Sequence, residues 1–318
     1  MEQILKDILS GNEAIARGAW EGGVTIATGY PGTPSTEILE TLATFKPDVY
    51  CEWSPNEKVA LEVAAGASYA GARCIVTMKH VGLNVAADPL MTLAYVGAVG
   101  GLVIIVADDP GMHSSQNEQD SRHYARLAKV PLLEPSDSQE AKDFLIKGLE
   151  ISEKFRTPVI LRSNTRISHS RGVVELGKRE IVLKEMNFQK DPVQFVTIPI
   201  WSRVMRNKVE ERLRNLKESA EASPLNRIEW RNRSLGIITG SISYQYVREV
   251  FTDASILKLG WLYPFPDKVF HEFSKGVDRI LVVEELDDFI EQHALSLGIK
   301  CDGKKYVPSI SELSPTVL

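Results

Sequence analysis

The sequence predicts an α/β protein, a doubly wound parallel-sheet domain followed by a smaller α/β domain. Three observations predict it. Apolar runs of strand length alternate with helical segments from about residue 10 to 175, the composition then turns polar and charged, and a second, shorter alternation fills 230–318. Strands separated by helices favour βαβ units, and hence a parallel sheet covered by helices. The 318 residues suffice for two domains.

In the first domain the candidate strands are Val24–Thr28, Val49–Trp53, Cys74–Met78, Leu102–Ala107 and Val159–Arg162. Helix starts lie between them. Ser10-Gly11-Asn12-Glu13 and Ser136-Asp137-Ser138-Gln139 have capping-box spacing, and Thr33-Pro34 places proline at a first helical position. The helix opening near Glu57 carries Ala60, Ala64, Ala65, Gly66, Ala67, Ala70 and Gly71. Such small side chains allow close approach, so this helix is expected to be buried.

Residues 176–196 read as an irregular polar connection, and Ser202–Ala222 as a charged helix with one solvated side. The second domain's strands are Leu235–Thr239, Ile256–Leu259 and Arg279–Val283. The expected division is therefore 1–180, a linker with its charged helix over 181–229, and 230–318.

Composition excludes several functions. A net charge of -5 argues against general nucleic-acid binding. No apolar run reaches the roughly 20 residues that span a bilayer, and the opening Met-Glu-Gln-Ile-Leu-Lys lacks a signal-peptide pattern. Cys51, Cys74 and Cys301 are too scattered for a disulfide framework or a CxxC site. A reduced, cytoplasmic protein is expected. No histidine pair has a metal-ligand spacing, His169 has no implied acid partner for a hydrolase triad, and GxGxxG is absent.

Ligands of open parallel sheets sit beyond the carboxyl ends of the strands. Three polar segments fall there: Gly29-Tyr30-Pro31-Gly32-Thr33-Pro34-Ser35, Lys79-His80-Val81-Gly82-Leu83-Asn84, and the loop Asp108–Asp120 with Gln116 and Asn117. Each has a structural alternative. Thr33 can cap its helix, Asp108 and Asp109 can form a turn before Pro110-Gly111, and His80 can be a packed, hydrogen-bonded side chain. Ser54-Pro55-Asn56-Glu57 fits a capping box, which by itself would account for Glu57.

Taken together, GNEA (11–14), GYPGTPST (29–36), EWSPNEKVALEVAAGASYA (52–70), MKHVGLNVAADPLMTL (78–93), VADDPGMHSSQNEQD (106–120) and TRISHSRG (165–172) resemble the alpha subunits of indolepyruvate:ferredoxin oxidoreductases, in the 2-oxoacid:ferredoxin oxidoreductase family. The resemblance runs across most of residues 10–175. It continues more loosely through GWLYPFP (260–266) and VVEE (282–285).

The resemblance implies a thiamine-diphosphate pyrimidine-binding domain followed by a transketolase-C-terminal-like domain. It also implies oxidative decarboxylation of an aryl-2-oxoacid such as indolepyruvate to the aryl-acetyl-CoA, with electrons passing through iron–sulfur clusters to ferredoxin. Glu57 takes the position of the catalytic glutamate. Thr33 takes that of the threonine beside the reacting carbon, and Tyr30, Pro31 and Gly32 lie against the cofactor. His80, Asn84, Gln116 and Asn117 are candidates for substrate binding. A glutamate that trades a proton with an aminopyrimidine must be held away from water. A helix N-terminus favours its charged form by only about 0.3–1 kcal/mol at exposed sites. The expectation is thus an apolar pocket around Glu57.

The family's GDG…N metal–diphosphate motif and its CxxCxxCxxxCP cluster motifs are absent from these 318 residues. The chain is therefore expected to be either a fragment or a separately encoded subunit. Mg²⁺ and diphosphate contacts would come from another domain or a beta subunit, and the chain alone would be inactive, working in a homodimer or hetero-oligomer through the small-residue helix. The competing readings are a subunit of a non-oxidative thiamine-dependent decarboxylase or transketolase-like enzyme, and a non-catalytic assembly module that retains the fold.

Overall fold

The structure, a computed structural model, describes residues 5–181 and 187–318. Its strands are β1 (Leu5–Ser10), β2 (Ile26–Gly29), β3 (Tyr50–Trp53), β4 (Cys74–Lys79), β5 (Leu102–Asp108), β6 (Leu132–Leu133), β7 (Val159–Asn164), β8 (Arg171–Leu176), β9 (Arg227–Glu229), β10 (Asn232–Gly240), β11 (Ala254–Leu259), β12 (Trp261–Tyr263) and β13 (Ile280–Val283). β4, β5 and β7 are buried along their whole length. That is why they read as continuous apolar runs rather than alternating ones.

Seven strands form the main sheet in the order β12-β6-β7-β5-β4-β2-β3. All neighbouring pairs from β6 to β3 are parallel. From β2 the chain goes to one side for β3 and returns to the other for β4, so the topological switch lies at β2. Crevices at such a switch, outside the carboxyl ends of the strands, are where open α/β sheets bind ligands. Here β2 runs into Tyr30-Pro31-Gly32-Thr33, and β4 runs into His80.

The second sheet has the order β13-β10-β11-β9, with β9 antiparallel at its edge, and β1 pairs antiparallel with β8 as a separate ribbon. The segment Trp261–Tyr263 does not belong to the second sheet. As β12 it pairs antiparallel with β6 and closes one edge of the first. A shared hydrophobic cluster joins the sheets, running from Val76, Ile104 and Ala125 through Leu262 to Phe270, Val282 and Phe289.

Helix starts differ from expectation in instructive ways. Ser10 and Glu13 form the expected capping box. At the second site the cap is Asp137, accepting from the Glu140 amide, rather than Ser136. Thr33 caps nothing: Thr33-Pro34 is a cis bond, and the helix Thr36–Leu42 begins after Ser35. At the fourth, Asn56 is the cap, its side chain accepting from Val59 N at 2.9 Å, and Glu57 is the first helical residue. Glu57 therefore cannot act as the third-position partner of a capping box.

The helix Glu57–Tyr69 is not buried all round. Ala60, Leu61, Ala64, Ala65 and Ser68 face the core, while Glu62, Val63 and Gly66 face outward. The charged helix spans Pro199–Glu221, burying Met205, Val209, Leu216 and Ala220. Of the connection expected over 176–196, residues 182–186 lie outside the described residues.

Candidate functional site

The three rim segments contact one another. Lys79 Nζ donates to Ser114 O at 2.7 Å, Ser114 Oγ donates to Thr33 O at 3.2 Å, and His80 Nε2 lies 3.1 Å from Asn117 O. A carbonyl can only accept, so Nε2 carries the proton in that bond. The other ring nitrogen, Nδ1, is buried and has no partner. Gly32 packs on the stem of Lys79: a Cβ there would stand 3.2 Å from Lys79 Cβ.

Glu57 is buried. Its carboxyl makes no hydrogen bond with another described residue. It lies against Gly82, in the short helix His80–Val85, where an added Cβ would meet Oε1 at 2.5 Å and Cδ at 2.8 Å. Unpaired buried polar groups are rare because each forfeits its hydration. Here three such atoms lie near the strand ends, His80 Nδ1, Ser54 Oγ and Thr77 Oγ1, beside the Glu57 side chain. Such a set suits a ligand edge bearing both donors and acceptors, as the aminopyrimidine of thiamine diphosphate does.

Other candidates are placed less centrally. Tyr30, Pro31 and Thr33 are exposed, and Thr33 helps line a cavity of about 480 Å³ with His113, Ser114, Thr165, Arg166, His169 and Ser170. Asn84 and Gln116 are also exposed, and Asn84 accepts from Tyr124 at 2.6 Å. Asn117 is exposed, and it reaches His80 through its backbone rather than its side chain.

Behind the rim lies a charge network that motif reading does not find. Asp108 accepts from Arg162 Nε at 2.6 Å and Ser121 Oγ at 2.6 Å, and Arg162 also reaches Glu134 at 2.7 Å. Arg122 bridges Asp120 to Glu284 of the second domain, both at 2.5 Å. Asp120, His123 and Asp287 also come together, but Arg122 Nε contacts both oxygens of Asp120. Burial would raise the Asp109 carboxyl, yet bonds from Ser115, Thr165 and the Ser114 amide, with Lys79 nearby, hold it at about 2. Asp108 and Asp109 thus do more than form a turn. The signal available in sequence was that a charged residue ends β5, Asp108, and another, Arg162, interrupts the apolar run of β7.

Residues 17–211, more than half of the chain, match the family described as pyruvate flavodoxin/ferredoxin oxidoreductase, thiamine-diphosphate-binding. The chain is 49% identical over 298 residues to indolepyruvate oxidoreductase subunit IorA of Methanothermobacter marburgensis, covering 91% of this chain and 48% of that one. It is 46% identical over 305 residues to the same-named subunit of Archaeoglobus fulgidus, covering 92% and 49%. It therefore spans about half the length of these relatives. In fold it matches 2-oxoglutarate:ferredoxin oxidoreductase from Magnetococcus marinus, with a TM-score of 0.80 at 17% identity over 99% of this chain and 64% of that one. A split-gene transketolase matches with a TM-score of 0.62 at 14% identity over 97% and 91%. With its rim, its switch point and these likenesses in hand, the chain belongs to the pyruvate flavodoxin/ferredoxin oxidoreductase family, whose thiamine-diphosphate-binding domain it contains.

Proposed function

We propose that the chain supplies the pyrimidine-binding half of the active site in an indolepyruvate:ferredoxin oxidoreductase. The complex would convert an aryl-2-oxoacid and coenzyme A to the aryl-acetyl-CoA and reduce ferredoxin. The observation that carries this reading is the largely buried Glu57 side chain at the switch-point rim, its carboxyl without a hydrogen-bond partner among the described residues and set against a glycine that leaves it room. The names of relatives at 46–49% identity support the choice of oxoacid.

Thiamine diphosphate, when bound, supplies a nucleophilic carbon for the 2-oxo group and an electron sink for decarboxylation. Glu57 does the protein's part by holding a proton at Oε1 or Oε2 against the pyrimidine ring nitrogen. Tyr30, Pro31 and Gly32 shape the wall on the β2 side, where Gly32 can approach Lys79 closely. Thr33 offers a hydroxyl donor to the oxoacid, and His80 Nδ1, the acceptor nitrogen of a ring whose Nε2 holds the proton, can take a hydrogen bond from an N–H or O–H of the bound substrate, with Asn84, Gln116 and Asn117 on the outer rim. Mg²⁺ and diphosphate contacts fall to a partner domain or beta subunit, as do the iron–sulfur clusters. The outward face of the helix Glu57–Tyr69, with Val63 and Gly66, is the contact element. No helix among the described residues is long and apolar enough to cross a membrane, in keeping with a cytoplasmic complex.

The test is Glu57→Gln in the complex co-expressed with its beta subunit. Indolepyruvate-dependent ferredoxin reduction should fall by at least about a hundredfold, a typical loss for a proton-transfer group, with assembly intact. Unchanged turnover rejects the assignment.

A further inference from the structure

The cavity beside Thr33 has an unusual lining. Arg166, His113 and His169 contribute its nitrogen groups, Thr33, Ser114, Thr165 and Ser170 its hydroxyls, and no carboxylate among the described residues lines it. Its volume of about 480 Å³ is that of a small-molecule site. A carboxylate from elsewhere in the chain reaches over the edge. One oxygen of Glu312, Oε1, pairs with Arg166 Nη2, and the other, Oε2, lies 3.4 Å from His113 Nε2. The segment bearing Glu312 is tied down on both sides, with Ser311 N donating to Glu118 at 2.9 Å and Leu313 N to Glu285 at 3.0 Å.

From this geometry we infer that Arg166 and His113 form the receptor for the carboxylate of the 2-oxoacid, and that Glu312 is the internal carboxylate it displaces. This rests on the reading of the Glu57–Thr33 rim as the active site. A planar guanidinium with a neighbouring imidazole is a natural carboxylate receptor. The Arg166 and His113 side chains are about half exposed, and so open to an incoming ligand. An exposed ion pair is worth little, so an incoming anion displaces Glu312 at small cost. An internal competitor weakens apparent binding by the fraction of sites it occupies. Asp109 sits behind Thr165, its charge held by hydrogen bonds, so it does not take the place of the ligand's carboxylate.

In the assembled enzyme, Arg166→Gln should raise KM for the oxoacid roughly tenfold or more, as expected for loss of a charge-assisted bond, and affect kcat far less. Glu312→Gln should lower KM severalfold. Phenylacetate, as a non-reacting aryl carboxylate, should bind more weakly to Arg166→Gln and more tightly to Glu312→Gln when followed by saturation-transfer NMR without turnover. Equal losses of thermal midpoint in both variants, with KM and phenylacetate binding unchanged, would reduce the pair to a tie between domains and overturn the proposal. A shift confined to the KM for coenzyme A would overturn it in favour of phosphate. If Glu57→Gln is inactive while Arg166→Gln behaves as wild type, only the carboxylate receptor falls. If Glu57→Gln is active, the underlying reading falls, and the phenylacetate result still decides the receptor.

Discussion

The Glu57 carboxyl rests directly on the backbone of Gly82, so close that a methyl group there would stand 2.5 Å from Oε1. Two segments separated in sequence, NEKVA and KHVGLN, thereby define one pocket wall. Gly82 lies inside a helix, where alanine is intrinsically favoured by about 1 kcal/mol. Gly82→Ala should therefore fold with near wild-type stability while pushing Glu57 out of place. Thermal melts should move little, and turnover of the assembled enzyme should fall by about a hundredfold, the scale of loss from displacing a reacting group by about an ångström.

Capping and the proposed proton transfer can be separated because they are assigned to adjacent residues, Asn56 and Glu57. Asn56→Ala removes the bond to Val59 N and should cost about 1 kcal/mol of stability. Glu57→Gln removes no hydrogen bond and should leave the denaturation midpoint in place. Urea titrations of the two variants compare these outcomes directly.

Arg162 neutralises Asp108 and Glu134 where all three are buried. Arg162→Met would leave two uncompensated carboxylates, a type of change that costs about 3–5 kcal/mol. The expected result is a large drop in unfolding free energy by chemical denaturation. A shift under about 1 kcal/mol would show that the carboxylates protonate or hydrate without penalty.

Glu285 gives a pH dependence. Burial pushes its carboxyl up to about 7, although the Leu313 amide and the charge of Arg162 pull it down; Glu312 adds to the rise. Below the unfolded-state value near 4.5 both states hold the proton, and the contribution to stability is complete. As pH rises from there to about 7 the unfolded state ionises first, so stability is lost. The loss should amount to roughly 1–3 kcal/mol between pH ~5 and ~8. Glu285→Gln should remove most of that slope, although the amide can accept from only one of its two donors, Asn164 and Leu313 N. Denaturation at several pH values checks the sign.

Much of the fold was legible in the one-dimensional pattern. β4, β5 and β7 are buried on both faces, and their continuous apolar runs announce them. The Ser10–Glu13 box marks its helix because both bonds are local. Short or exposed strands were less legible. β6 has two residues and β12 three, and they depend on strand pairing, β6 with β7 and β12 and β12 with β6, rather than on their own periodicity. Local motifs also misplaced caps by one or two residues, since Asp137 and Asn56 compete with the serines beside them as acceptors.

By itself, then, the sequence determined the order of elements, the rim on which chemistry-bearing residues fall, and the family, because these follow from burial periodicity and from contiguous motifs. Tertiary structure alone decided that Glu57 is free of capping and faces Gly82, that Arg122 and Arg162 hold the buried acids behind the rim, and that Glu312 reaches Arg166. Apart from the local Arg122–Asp120 pair, those relations join residues from 25 to 162 positions apart, and local spacing carries no information about contacts created only when the sheet and its neighbouring domain close on one another.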